Sequence, residues 1–286
     1  MATLKAIRKR ISSIRNTQQI TKAMKMVSAA KLRRAQEAAV AARPYADKMT
    51  ELLRNLAARV SRDVHPLLKP RDEQRVHVIL FTSDRGLAGG YNANLIRAAE
   101  AFIRREGAGK EINLVLVGRK GADYFRRRRA TIADRFVNIL ATPAQELATG
   151  IAEAAIERFV KDETDAVYIL YSRFRSALSQ VPTLEKLLPI PLPETENTDE
   201  LTEYLYEPDA ETILASLLPA VVQVAILRAL LEATASEHGA RMTAMDSATT
   251  NASKMMGSLT LQMNRARQAS ITRELMEIVG TAEALK

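Results

Sequence analysis

Leu4, Ile7, Ile11 and Ile14 recur at alternating spacings of three and four, the seam of a coiled-coil helix. Polar Gln18 and Thr21 continue that spacing, while Ile20, Met24 and Val27 carry the apolar stripe on a slightly rotated face. Residues 1–43 contain neither Gly nor Pro, and a helix of about 55 residues would run about 80 Å. Such a helix needs a partner to bury its seam. From Asp209 onward the pattern is helical again for about 75 residues. Asp209 stands as N-cap or first-turn acid, and Pro219 is expected to kink the first turns. Met242, Met245, Thr249, Ala252, Met256, Leu259, Met263 and Ala266 keep the three-four spacing with small or adaptable knobs. The two ends predict an antiparallel coiled coil with the middle of the chain inserted between them. A bundle of shorter helices with unseen breaks is the competing arrangement.

The middle alternates strands with helices. RVHVILFTSD (75–84), INLVLVG (112–118) and DAVYILYSRF (165–174) are buried strands. Residues 91–106, 120–128 and 143–160 carry helical patterns. Alternation of this kind predicts a small parallel α/β sheet with covered faces. PIPLPETENTDE (189–200) is a polar, Pro-rich loop leading to the C-terminal helix. The chain thus divides into an N-terminal helix (1–60), an α/β domain (61–208) and a C-terminal helix (209–286).

Charge changes this picture more than composition does. Residues 1–60 carry a net charge of +11, residues 61–208 carry −1 and residues 209–286 carry −1. The cationic first helix should seek an acidic partner: nucleic acid, an anionic membrane or an acidic protein surface. The chain has no cysteine, which excludes disulfides, thiolate catalysis and cysteine-ligated zinc and fits a reducing compartment. The start lacks the apolar run of a secretory signal, and its helical pattern runs on beyond the reach of a transit peptide. LASLLPAVVQVAILRALLEA (214–233) is the most apolar stretch; interrupted by Pro219, Gln223 and Arg228, it is expected to be a buried helix and not a membrane span.

Candidate chemistry is sparse. SDRGLAGGYN (83–92) lies between strand and helix, where phosphate loops occur, but lacks both GxGxxG and the GK[ST] ending. A tight turn using glycine is the plainer reading, and the same holds for GRKG (118–121). His65, His77 and His238 have no metal-like spacing, and His77 reads as half-exposed filler in a strand. RRRR (126–129) reads as a solvated helix end. No catalytic constellation, metal site or cofactor is expected. Two rivals stay open: a basic helical nucleic-acid binder, disfavoured because residues 16–30 carry no aromatics for base stacking, and an α/β phosphate-ligand enzyme, which rests on fold analogy alone.

NTQQITKAMKMVSAAKLRRAQ (16–36), its extension AVAARPYADKM, TSDRGLAGGYN, QVPTLEKLLP, YLYEPD and the stretch from Glu237 to Leu285 resemble the gamma subunits of F-type rotary ATP synthases. The resemblance runs from residue 2 to 285. It departs at Ala88, where many relatives have cysteine, and at Lys25, where some have an acid. It implies a long antiparallel coiled coil of the terminal helices with an inserted small Rossmann-like α/β domain.

The resemblance also implies the function: a non-catalytic central-stalk rotor that couples rotation of the membrane c ring to ATP synthesis or hydrolysis at beta-subunit sites. Implied partners are alpha and beta subunits, epsilon and the c ring, with no nucleic acid and no transmembrane segment of its own. The implied location is peripheral, on the cytoplasmic face of a bacterial inner membrane. Met24 and Lys25 match shaft positions facing an acidic beta segment. Arg267, Gln268, Thr272 and Glu274 match positions of sleeve contact and coupling, and Arg241 is a further contact candidate. Tyr204 and Tyr206 are expected to face epsilon or the c ring.

Overall fold

The computed structural model describes residues 4–57, 62–128, 130–139, 142–191, 207 and 209–284. Its elements are α1 (Leu4–Ala57), two 3-10 turns (Arg62–Val64 and Pro66–Leu68), β1 (Arg75–Phe81), α2 (Tyr91–Glu106), β2 (Glu111–Val117), α3 (Arg119–Arg126), β3 (Ile132–Phe136), α4 (Ala144–Val160), β4 (Ala166–Phe174), β5 (Gln180–Leu188) and α5 (Ala210–Ala284). The contacts divide the chain into two compact units, one of residues 1–28 with 242–286, the other Ala29–Arg241.

In the first unit the start of α1 and the end of α5 run antiparallel. Gln18 Nε2 donates to Ser253 Oγ at 2.6 Å, the Thr21 and Thr249 hydroxyls meet at 2.7 Å, and Lys25 Nζ reaches Asp246 Oδ1 at 2.5 Å. Partner numbers fall along α5 as they rise along α1, which fixes the direction. Ile7, Thr21 and Ser28 on α1 and Met245 and Ala252 on α5 are buried along this line. The seam does not rotate onto Ile20 and Val27 as the apolar pattern suggested; those side chains are exposed. It runs straight on through Gln18, Thr21 and Ser28. Short polar side chains let the helices approach closely, and the Thr21–Thr249 bond across the seam satisfies the hydroxyl that Thr21 buries.

The second unit is a five-stranded sheet in the order β3-β2-β1-β4-β5. β1 pairs parallel with β2 and β4, β3 pairs parallel with β2, and β5 is antiparallel to β4. The expected wholly parallel sheet is therefore mixed, with two strands the pattern did not reveal. β3 and β5 are mostly half-exposed edge strands, so neither carries a continuous apolar run. Pro182, which cannot donate to a ladder, fits an edge.

The inner strands are buried on both faces. Val76, Val78 and Leu80 share a core with Leu95 and Phe102 of α2 and Phe125 of α3. Ile79 and Phe81 face Ile151 and Phe159 of α4, together with Leu53 and Leu56 of α1 and Leu214, Leu218, Val222 and Ile226 of α5. By length and composition α5 could cross a membrane, but these residues of its apolar stretch form the core, as the reading of 214–233 expected. Asp209 caps α5, accepting from Thr212 N at 2.8 Å, and the helix continues through Pro219. His77 is buried, not half-exposed: the central strand that carries it has both faces covered.

Candidate functional site

The 118–121 turn is built for close approach. Gly118 has φ +97°, and a Cβ there would lie 2.1 Å from Thr82 O; Thr82 Oγ1 in turn accepts from Gly121 N at 2.9 Å. The 83–92 loop closes on itself. Ser83 N donates to Asn92 Oδ1 at 3.0 Å, Asn92 Nδ2 donates to Ser83 Oγ at 2.8 Å, and Ser83 Oγ donates to Arg85 O at 2.6 Å. Asp84 Oδ1 accepts from Arg119 N and Asn138 N, each at 3.1 Å.

The strand order reverses beside β1, and open α/β sheets bind ligands in the crevice outside the carboxyl ends at such a point. Here α5 lies in it. Ser236 Oγ donates to Ser172 O at the end of β4 at 2.8 Å, and Tyr91 OH donates to Ala233 O at 3.2 Å. Arg241 Nη2 donates to Gly86 O at 3.2 Å and reaches Glu237 Oε1 at 2.7 Å, while its Nη1 meets His238 Nδ1 at 3.3 Å. Ser236, Glu237, His238 and Arg241 are all at least nine-tenths buried. Burial raises the Glu237 carboxyl against the pull of Arg241. Burial, then Arg241 and Lys31, bring the His238 imidazole down to about 4. His238 is thus a neutral acceptor and Arg241 the donor.

This cluster went unread in the sequence. Its signal was a polar run, SEHGAR, directly after an apolar helical stretch, with Glu237 and Arg241 four apart on one helix face. Arg241, matched to contact positions by resemblance, has its guanidinium taken up inside the chain.

The other candidates lie on the coiled coil. Met24 is half-buried, and Lys25 is half-buried and paired with Asp246. Arg267, Gln268, Thr272 and Glu274 are exposed on α5, with Ser270 Oγ donating to Glu274 Oε1 at 3.2 Å. The register that sets Gln18 against Ser253 brings Leu4 level with about residue 267. Beyond that point α5 continues for about 25 Å past the first described residue of α1, and Ile271, Leu275, Met276, Ile278 and Val279 stand exposed on it. Tyr204 and Tyr206 lie outside the described residues. Among the described residues no group of His, Asp or Glu is arranged to hold a metal.

Residues 3–285 match the protein family described as ATP synthase. The sequence is 51% identical to the ATP synthase gamma chain of Trichlorobacter lovleyi and 52% identical to that of Geobacter metallireducens, each alignment covering 100% of both chains. The fold is similar to a chain of the central stalk and c-ring structure of Tetrahymena thermophila mitochondrial ATP synthase, with TM-score 0.62 and 25% identity over 80% of this chain and 99% of that one. It is also similar to a chain of the Euglena gracilis mitochondrial ATP synthase, with TM-score 0.68 and 22% identity over 99% and 94%. Identity over the full length, joined to terminal helices that pair antiparallel and an α/β sheet that lies between them in sequence, places the chain in the ATP synthase gamma-chain family.

Proposed function

We propose that this gamma chain is the rotor shaft of a proton-translocating ATP synthase on the cytoplasmic face of a bacterial inner membrane. Alpha and beta subunits surround its coiled coil, and epsilon and the c ring engage its α/β domain. It carries out no bond chemistry. Its asymmetric surface makes different contacts with each beta subunit of a threefold ring, and turning the shaft exchanges those contacts in order. Differential contact energy of this kind is what coupling between rotation and nucleotide affinity requires.

The observation that carries this reading is the end of α5. A helix end displaying Ile271, Leu275, Met276, Ile278 and Val279 to water among the described residues is poorly stable without a surround. A protein sleeve supplies one. On the same stretch Arg267 and Gln268 offer donors to loop carboxylates and carbonyls, and Thr272 and Glu274 join them as contacts. Met24 and Lys25 face an acidic beta segment. Lys25 is shared with Asp246, so the outward contact draws on a side chain already ordered.

The test uses the assembled complex in membrane vesicles. Lys25→Glu and Gln268→Ala should each lower protons pumped per ATP hydrolysed. Unfolding free energy should move by less than ~1 kcal/mol, the range of exposed ion pairs. Unchanged pumping per ATP in both variants would overturn the assignment of these residues.

A further inference from the structure

We propose that Glu237 and Arg241 form a positioning latch that fixes the stretch of α5 up to Arg241 in register against the carboxyl end of the sheet, so that this stretch of helix and the sheet move as one. The inference rests on the rotor reading and deepens it. It gives Arg241 an internal task in place of a stator contact.

The geometry supports a lock on both sliding and twisting. The Arg241 guanidinium donates to Gly86 O at 3.2 Å and to Arg85 O at 3.4 Å, and it is held from its own helix by Glu237 Oε1 at 2.7 Å. Those two carbonyls belong to the loop closed by Ser83 and Asn92, itself anchored to the end of β1. One turn earlier, Ser236 Oγ bonds the Ser172 carbonyl on β4 at 2.8 Å. At Gly239 a Cβ would sit 3.2 Å from Phe174 Cε2 and 3.3 Å from the Ala177 Cα, so the helix axis lies close to the β4–β5 turn.

Apolar packing of α5 against the sheet buries area but resists a slip by one residue weakly, because Leu and Ala surfaces tolerate repacking. Directional bonds do not. A slip or a twist of α5 here breaks the Arg241 bonds to Arg85 O and Gly86 O and the Ser236 bond to Ser172 O together, and strands the buried guanidinium with Glu237 and His238 of its own helix, which move with it. The ion pair lies within one helix and does not itself set register; Glu237 holds the guanidinium in the orientation that reaches the two loop carbonyls. In a rotor, register under load is the property that matters.

The experiment compares Glu237→Gln, Arg241→Lys and the double variant in the assembled ATP synthase, reading ATP hydrolysis and proton pumping from the same vesicles. Glu237→Gln is near-isosteric, and Arg241→Lys keeps the charge while giving up the fork that reaches several acceptors at once. We expect hydrolysis to be retained and pumping per ATP to fall at least twofold in each single variant. The double variant should be no worse than the worse single one. Pumping lost in Arg241→Lys but kept in Glu237→Gln would overturn the latch, because Arg241 would then act outward. Additive losses, or normal pumping in both, would also overturn it. So would failure of these variants to assemble, because the pair would then hold the fold and not the coupling. A parent complex that hydrolyses ATP without pumping would count against the rotor reading instead.

Discussion

Gly118 shows what single positions decide. The sequence marks it as a turn glycine, and its φ of +97° with Thr82 O only 2.1 Å from a Cβ leaves no room for another residue. Gly118→Ala should cost ~2–4 kcal/mol, read as a lowered denaturation midpoint, from backbone strain and overlap together. His238 sets a pH response. Its folded value of about 4 lies below the ordinary 6.5, so the folded chain binds fewer protons than the unfolded one. Its contribution is complete above pH 6.5 and is lost as pH falls toward 4, worth at most ~3 kcal/mol. The facing cations Arg241 and Lys31 reinforce that sign, and Glu237, raised by burial, acts in the opposite sense. His238→Gln should flatten stability between pH 6.5 and 4, measured by urea unfolding; an unaltered slope would contradict this. Neither His77 nor His238 was legible, because a histidine's surroundings come from elements far away in sequence.

At the scale of elements, long periodic segments were legible and edges were not. α2 and α4 lie where their spacing predicts, since a 3.6-residue apolar face declares itself locally. β3 and β5 escaped because half-exposed edge strands lack that declaration and are selected by the neighbour they pair with. The coiled coil was legible as a seam, but its course was not: apolar Ile20 and Val27 drew the stripe aside, while Thr21 and Ser28 fill the interface. Such a seam owes its specificity to matched polar pairs and little of its stability to them. Replacing both Thr21 and Thr249 with Val should therefore change unfolding free energy by less than ~1 kcal/mol, because both partners of the bond leave together. A loss of several kcal/mol in chemical denaturation would show the hydroxyl pair to be a principal support.

At the scale of the molecule, the +11 charge of residues 1–60 marks where acidic surfaces should meet the chain. Attraction screened over roughly 8–10 Å suits contacts that are made and broken at every turn, where a wide apolar seal would not. The candidate contacts are proposed only through resemblance to gamma chains; residue type alone leaves Arg267 and Gln268 as ordinary solvated positions. The internal engagement of Arg241 was visible to neither route, since the carbonyls it bonds lie about 155 residues away in sequence. The most direct test of the central claim uses the absence of cysteine, which makes one introduced thiol a unique handle. A bead attached through Leu178→Cys, on an exposed turn, is watched while a surface-held ring of alpha and beta subunits hydrolyses ATP. The account predicts one-directional rotation with three equal steps per turn; steady hydrolysis with a stationary bead would contradict it.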